Sequence, residues 1–316
     1  MSRPPEPPPP GPHRPAGADG ARPSWPVVAW HAIRPRTLPL SVSPVIAGTA
    51  LAWAETGAAR ADVAGAAALS ALAIQVGTNL HNDAADTLNK TDGRDRLGPV
   101  RVSERGWMTP RQVLAAAHAA FGLAVLCGLW LVIVGGWPIL VIGVLSVLAG
   151  YAYSAGPRPI ARGPFGELLV ILFFGVVAVG GVVWLHTGTV GPSALLLGLV
   201  VGLPAAAVLL VNNTRDRESD ARAGRCTLAI RLGRTRATAV YGGLLVAALA
   251  GLLALALWDP AVRGVALGLV CAPLAWRAWR AFRDAGDGAA FNACLARTGG
   301  LQVALVVTGA VGLVVL

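Results

Sequence analysis

Apolar runs of about 20 residues alternate with short polar breaks along most of the chain. A helix of that length crosses the hydrocarbon core of a bilayer, and it satisfies its own backbone hydrogen bonds there. The pattern therefore predicts an all-α, polytopic membrane bundle with about nine transmembrane helices. The predicted spans are roughly 38–54, 62–81, 111–133, 137–154, 165–186, 192–212, 237–258, 261–281 and 291–316.

Composition supports a membrane protein over a soluble one. Of 316 residues, 55% are hydrophobic and 13% are charged, whereas soluble domains carry roughly 25% charged residues. Residues 1–25 are rich in proline, glycine and arginine, and they lack the apolar core of a signal peptide. We expect this segment to be a disordered cytoplasmic tail, followed by one transmembrane domain over 26–316.

The net charge of +10 is distributed unevenly between the two sides of the predicted bundle. Arginine and lysine crowd the tail and alternate loops, whereas the loops on the opposite side hold only Arg60 and Arg263. This asymmetry predicts a multi-pass protein of the cell membrane, with the N-terminus and large loops in the cytoplasm and the C-terminus outside. It also argues against nucleic acid as a partner, because the basic residues follow membrane topology.

Two acidic clusters, each led by asparagine, follow the second and sixth predicted spans. The first runs from Asn79 to Asp92 and the second from Asn212 to Asp220. Carboxylates at the edge of a bilayer are costly unless something binds them. The topology brings both clusters to the cytoplasmic side, as a joint site requires.

Helical spacing places the oxygen ligands of each cluster on one face, since residues three, four and seven apart are neighbours on a helix. Mg²⁺ prefers oxygen and commonly bridges carboxylates to a substrate phosphate. The clusters therefore predict Mg²⁺ held against a diphosphate, although solvated loop acids paired with arginines are the alternative. The candidate metal ligands are Asn82, Asp83, Asp86, Asp92, Asn212, Asp216 and Asp220, and the catalytic candidates among them are Asn82, Asp86, Asp216 and Asp220.

Basic residues beside the acids supply the second half of such a site. Arginine and lysine can bind diphosphate oxygens and stabilise the charge that develops on the leaving group. For any one of these residues taken alone, positive-inside bias is the better explanation, except for Arg215, which adjoins Asp216. The candidate diphosphate-binding residues are Lys90, Arg94, Arg101, Arg215 and Arg225.

A diphosphate bound to a bilayer protein indicates an isoprenoid diphosphate, whose apolar tail can lie in the bundle. Loss of diphosphate would leave an allylic cation, which an electron-rich aromatic acceptor attacks. Aromatic faces can stabilise such a cation, and Glu167 either pairs with an arginine or serves the site. The candidates for acceptor binding or cation stabilisation are Asn79, Tyr153, Glu167 and Phe173, with Tyr151, Phe174 and Trp184 as further aromatic candidates and His81 as an open one.

Four motifs in order resemble the UbiA-type intramembrane aromatic prenyltransferases, over about residues 30–316. The branch that the chain resembles most is the 1,4-dihydroxy-2-naphthoate polyprenyltransferases of menaquinone synthesis. The first motif matches Asn82, Asp83, Asp86, Asp92, Gly98, Pro99 and Arg101, and the second matches Asn212, Asn213, Arg215, Asp216 and Asp220 with Gly224 and Thr227 following. The third is the Gly-Pro-x-Pro turn with Glu167, Phe173 and Phe174, and the fourth is Phe291-Asn-x-x-Leu-x-x-Thr298.

The resemblance implies a nine-helix bundle that binds Mg²⁺ and a prenyl diphosphate at its cytoplasmic side. It implies that the prenyl chain replaces the acceptor's carboxylate with loss of CO₂, giving demethylmenaquinone. Three positions depart from the family pattern: Ala84 stands where tyrosine is frequent, Lys90 where glycine is common, and Arg225 where lysine is usual. The first two departures bear on which acceptor the protein uses, and the third bears on how it binds the diphosphate.

Two alternatives stay open at the level of sequence. The same fold can act on another aromatic acceptor, such as a hydroxybenzoate, a homogentisate or a secondary-metabolite phenol. A transporter is the alternative of a different class, but transporter sites lie near the bilayer midplane, whereas these acids fall at span ends.

Overall fold

The computed structural model of the protein describes residues 22–88, 98, 100–156 and 159–316. Its α-helices are α1 Trp25–Ile33, α2 Leu38–Thr56, α3 Ala61–Leu88, α4 Pro110–Gly135, α5 Trp137–Ser154, α6 Gly166–Ile171, α7 Ala178–Thr187, α8 Pro192–Arg215, α9 Arg217–Arg222, α10 Leu228–Trp258, α11 Ala272–Asp284 and α12 Gly288–Val315. A π-helical segment, Leu172–Val177, joins α6 to α7, and a 3₁₀ segment, Pro260–Cys271, precedes α11.

Within these ranges, nine helical segments are long and apolar enough to cross a membrane. The all-α polytopic bundle predicted from the sequence is therefore confirmed. Two helix boundaries beside the acidic clusters differ from the predicted ones. Helix α3 continues to Leu88, so the first acidic cluster begins on the helix itself. Helix α10 begins at Leu228, with a non-helical backbone at Gly233.

Local sequence signals explain where several helices begin and end. Thr109 and Gln112 form a reciprocal capping box at the start of α4, with Pro110 in the first turn. Gly136 takes a positive φ of 71° between α4 and α5, a conformation that glycine adopts without steric cost. These signals turn the chain sharply and pack α4 and α5 as antiparallel neighbours.

Helix α8 is the most buried of the spans described. Of its apolar stretch, 72% lies inside the protein, against 17% for α5. Glycines allow its close approach to the π-helical segment. A Cβ on Gly175 would overlap the carbonyl oxygen of Gly198, and a Cβ on Gly202 would overlap the carbonyl oxygen of Ile171. Small residues drive helix packing in membranes because they let backbones approach. The packing fixes α8, in whose last turn the second acidic cluster begins with Asn212.

A second close contact joins α12 to the 3₁₀ segment before α11. A Cβ on Gly312 would overlap the carbonyl oxygen of Gly264, and a Cβ on Gly264 would overlap that of Gly312. The two backbones touch here, so neither position has room for a side chain. This contact closes the bundle at the end of α12 opposite to Asn292.

Replacing Gly312 by alanine should therefore force α12 and the 3₁₀ segment apart. We expect a loss of about 1–3 kcal/mol, the usual cost of overpacking, measured as a lower unfolding temperature of the detergent-solubilised protein. Gly299→Ala is the matched control on the same helix, because nothing lies within 4 Å of its added Cβ. Equal unfolding temperatures for the two variants would contradict the close packing at Gly312.

A candidate metal and diphosphate site at one end of the bundle

Asp86 lies in the last turns of α3 and is held between two arginines. Its Oδ2 forms a buried ion pair with Nη2 of Arg101, and its Oδ1 accepts a hydrogen bond of 2.8 Å from Nη2 of Arg225. The Asp86 residue is only 6% exposed. A buried carboxylate is stable only when paired and hydrogen-bonded, and here cations from two distant parts of the chain provide that pairing.

Arg225 joins the two acidic clusters. Its Nη1 lies 3.3 Å from Oδ1 of Asp220, while its Nη2 binds Asp86. The turn that presents it depends on Gly224, whose φ of +72° suits glycine. The backbone N–H of Arg225 donates to the carbonyl of Asp220 at 2.9 Å. The predicted joint site is thus assembled, with one guanidinium group between a carboxylate of each cluster.

Asp216 lies at the junction between α8 and α9. Arg215 holds both of its carboxylate oxygens, through Nε at 2.8 Å and Nη2 at 2.6 Å. The same guanidinium donates to Oδ1 of Asn212 and to Oδ1 of Asn292, both at 2.8 Å. Asn292, on α12, was not singled out as a site residue, although it stands in the fourth sequence motif.

The helical column predicted for the second cluster is interrupted at Asp216. Helix α8 ends at Arg215, and Asp216 has φ −91° and ψ 5° before α9 begins at Arg217. Helical hydrogen bonds continue across the break, from the N–H of Asp216 to the carbonyl of Asn212 at 3.1 Å and from that of Asp220 to Asp216 at 2.8 Å. The three oxygen-bearing side chains therefore remain close along one edge.

Asp83 is engaged differently from Asp86. Its carboxylate accepts hydrogen bonds from the backbone N–H groups of Val102 and Ser103, at 3.0 and 3.3 Å, and from the Ser103 hydroxyl. It is 2% exposed. Asp83 therefore anchors the segment before α4, a role that helical spacing could not reveal because Ser103 is 20 residues away.

Asn79 ties α3 to the chain that leads into α2. Its Nδ2 donates to the Ile33 carbonyl at 3.3 Å and to the Thr37 hydroxyl at 3.0 Å, and its Oδ1 accepts from Gln75 at 3.4 Å. These contacts use the whole amide group. Asn79 therefore holds α3 against the chain that precedes α2. Asn82 lies one turn further along the same helix and is partly buried.

Glu167 is paired with an amide and with no cation among the described residues. Asn213 Nδ2 donates to its Oε1 at 2.9 Å, and Asn213 follows Asn212 in the last turn of α8. The hydroxyl of Tyr153 lies within electrostatic range of Glu167, Asp86, Asp220 and Arg225. The structure therefore places Tyr153 and Glu167 beside the two acidic clusters.

The other aromatic candidates separate into two groups. Phe173 and Phe174 are partly buried within the π-helical segment, a local distortion that is frequent at functional sites. Tyr151 packs with Phe121 and His81 between α3, α4 and α5, at centroid distances of 4.4 and 5.2 Å. Trp184 donates to the Gly135 carbonyl at 2.8 Å, near the other end of its span. Tyr151 and Trp184 therefore serve packing.

Three predicted residues lie outside the described part of the chain, namely Lys90, Asp92 and Arg94. Among the residues that are described, no three His, Cys, Asp or Glu side chains form a metal cluster by themselves. The ion pairs show the reason. Arg225 lies between the carboxylates of Asp86 and Asp220, and Arg215 binds both oxygens of Asp216.

The donor set nevertheless fits a hard, oxygen-preferring cation. Carboxylate oxygens of Asp86, Asp216 and Asp220 and amide oxygens of Asn82 and Asn212 are the ligand types that Mg²⁺ takes, alongside substrate phosphate oxygens. The flanking Arg101, Arg215 and Arg225 can exchange a carboxylate partner for a phosphate, which they bind with the same fork geometry. The arrangement can thus bind a metal–diphosphate unit at a bundle end.

Comparison with known proteins agrees with this geometry. The chain is 39% identical to the 1,4-dihydroxy-2-naphthoate octaprenyltransferase of Mycobacterium tuberculosis, over 88% of this chain and 94% of that protein. It is 37% identical to the Escherichia coli enzyme of the same description, over 70% of this chain and 74% of that one.

A solved structure shares the fold. A UbiA homolog from Archaeoglobus fulgidus, bound to GPP and Mg²⁺, superposes with a TM-score of 0.64 at 16% identity, covering 92% of this chain and all of that one. The model of the UbiA prenyltransferase family matches residues 41–298, which include both acidic clusters. The chain is therefore a multi-pass membrane protein that belongs to the UbiA prenyltransferase family.

Proposed function

We propose that the protein transfers a polyprenyl group from an isoprenoid diphosphate to 1,4-dihydroxy-2-naphthoate, with release of diphosphate and CO₂. The observation that carries the proposal is the link from Asp86 through Arg225 to Asp220. The link joins acids and cations from the two halves of an apolar bundle. The charged groups suit a metal-bound diphosphate, and the apolar bundle suits its long tail. The naphthoate acceptor is supported by the names of the relatives that align over most of the chain.

The carboxylates are proposed to hold Mg²⁺. Asp86, Asp216 and Asp220 supply the main ligands, helped by Asn82, Asn212 and Asp92, whereas Asp83 is occupied by the Ser103 segment. When bound, Mg²⁺ would neutralise the diphosphate and act as a Lewis acid on its oxygens. The protein's part is to orient these oxygen ligands from two helix ends.

The arginines are proposed to bind the diphosphate and stabilise it as it leaves. Arg101 and Arg225 flank Asp86, and Arg215 flanks Asp216. Preorganised donors in a site with little water stabilise developing negative charge strongly. Lys90 and Arg94 stay predictions for the same task.

The positive-inside bias supports placing this end of the bundle in the cytoplasm, with the C-terminus outside.

The direct test is product analysis. Purified protein with Mg²⁺, 1,4-dihydroxy-2-naphthoate and a polyprenyl diphosphate should yield a prenylated, decarboxylated product by mass spectrometry. Removal of Mg²⁺ with EDTA should abolish formation, and added Mg²⁺ should restore it. Prenylation of hydroxybenzoate or another phenol in place of the naphthoate would refute the acceptor. No product with any acceptor from folded protein would refute prenyl transfer.

Asp86→Ala and Asp216→Ala should each abolish turnover while the protein remains folded and inserted, because each removes a metal ligand from an intact bundle. Steady-state product formation measures the first effect, and size-exclusion chromatography in detergent measures the second. Retention of more than about a tenth of the wild-type rate in either variant would contradict its role.

Asp83→Asn is the informative comparison within the same cluster. It should lower the unfolding temperature, because the segment of Val102 and Ser103 loses part of its carboxylate anchor. It should leave the Mg²⁺ concentration for half-maximal activity within about threefold of wild type, since Asp83 is not a proposed ligand. Glu104→Gln, an exposed carboxylate in the anchored segment, should change neither quantity.

A further inference from the structure

The two carboxylate oxygens of Glu167 differ in their contacts. Its Oε1 accepts the hydrogen bond from Asn213, whereas its Oε2 is buried and has no hydrogen-bond partner among the residues that the structure describes. The residue is 4% exposed. Buried polar atoms in folded proteins are nearly always hydrogen-bonded, and leaving one unsatisfied is costly in a low-dielectric interior. The Oε2 atom therefore indicates a donor that arrives with a ligand.

The surroundings exclude an arginine of the described chain as that donor. No ion pair involves Glu167 among these residues, so none of the described arginines neutralises it. Arg101, Arg215 and Arg225 bind other carboxylates instead. A buried acid whose one partner is a neutral amide is suited to a neutral donor, such as a hydroxyl group.

The position of Glu167 fits the acceptor better than the diphosphate. Asn213, which holds Oε1, adjoins Asn212 of the second acidic cluster. Tyr153, which lies near both clusters, is also near Glu167. The carboxylate thus borders the site without joining its arginine network. The oxygens of an ionised diphosphate only accept hydrogen bonds, as the carboxylate does, whereas a phenolic hydroxyl can donate one to Oε2.

We infer that Oε2 of Glu167 accepts a hydrogen bond from the acceptor's ring hydroxyl next to the carbon that is prenylated, and takes up its proton during attack. The inference rests on the proposed function and identifies a catalytic residue for it. Asn213 orients the carboxylate by holding Oε1. A positioned base of this kind contributes about 10²- to 10⁴-fold to a rate.

The prenyl C–O bond breaks and its electron pair leaves with diphosphate. The ring carbon that carries the carboxylate forms the new C–C bond, while the neighbouring hydroxyl oxygen becomes a carbonyl and gives its proton to Glu167. Loss of CO₂ then returns the electron pair of the broken C–C bond to the ring, and Glu167 returns the proton to the oxygen. The product is the quinol form of demethylmenaquinone, with no net proton consumed by Glu167.

The test uses the full-length protein with Glu167→Gln, which keeps the size of the side chain but cannot take up a proton. We expect the acceptor kcat/KM to fall at least about 100-fold. The KM for the prenyl diphosphate should stay within about threefold, because Glu167 lies outside the arginine network. Glu218→Gln, which changes an exposed carboxylate on α9, is the matched control and should behave as wild type.

A binding measurement separates this role from a structural one. Wild-type protein should bind 1-hydroxy-2-naphthoate at least about tenfold more tightly than 2-naphthoate, since hydrogen bonds to charged groups contribute about 1.5–3 kcal/mol. Glu167→Gln should reduce that preference at least threefold. Ligand-induced shifts in unfolding temperature, titrated with each compound, give both affinities without turnover.

Three results would overturn the inference. One is a Glu167→Gln enzyme whose acceptor kcat/KM stays within about threefold of wild type. Another is an equal loss for both substrates, which would indicate a structural role. The third is wild-type protein that binds the two naphthoates equally, a result that does not depend on how the variant folds. If wild-type protein forms no product, the proposed function fails, and the binding preference still tests the Glu167 contact.

Discussion

The ion link through Arg225 is the interaction on which the candidate site depends. A charge buried beside a bilayer is unfavourable unless an opposite charge meets it. Asp86 and Asp220 meet the same guanidinium group, which fixes the end of α3 against the segment after α8. The planar fork of arginine presents two nitrogens to two acids, which the single ammonium group of lysine cannot do. The unusual arginine at this position therefore has a physical consequence, because it binds both clusters at once.

The apolar bundle gives this link its fixed geometry. Backbone contacts at Gly175, Gly198 and Gly202 fix α8 against the π-helical segment, and Arg215 ties the last turn of α8 to Asn292 on α12. Asp83 fixes the chain that carries Arg101. The charged groups are thus supported by elements from every part of the sequence. The other ion pairs of the described residues, Arg60–Asp62 and Arg283–Asp284, are exposed and local in sequence, so they do not join distant parts of the bundle.

The helical spans could be predicted from the sequence, whereas most contacts of the candidate site could not. Span length and hydropathy are local properties, so the nine spans seen among the described residues, and the bundle end that both acidic clusters share, could be predicted. Helical spacing could show that Asp83 and Asp86 are near neighbours, but not that one binds the Ser103 segment and the other two arginines. Those contacts join residues 15 to 139 positions apart, which spacing does not encode. The break at Asp216 was hidden too, since no glycine or proline marks it.

The central claim is that Asp86 and Asp220 act as one metal–diphosphate site. Isothermal titration of Mg²⁺ with inorganic diphosphate into wild-type protein, Asp86→Asn, Asp220→Asn and the double variant tests it most directly. Groups that act as a unit give non-additive losses. Each single variant should bind diphosphate with Mg²⁺ measurably more weakly than wild type, and the double variant should bind no more weakly than either one. Losses in binding free energy that simply add would contradict the account, because they would show two independent sites.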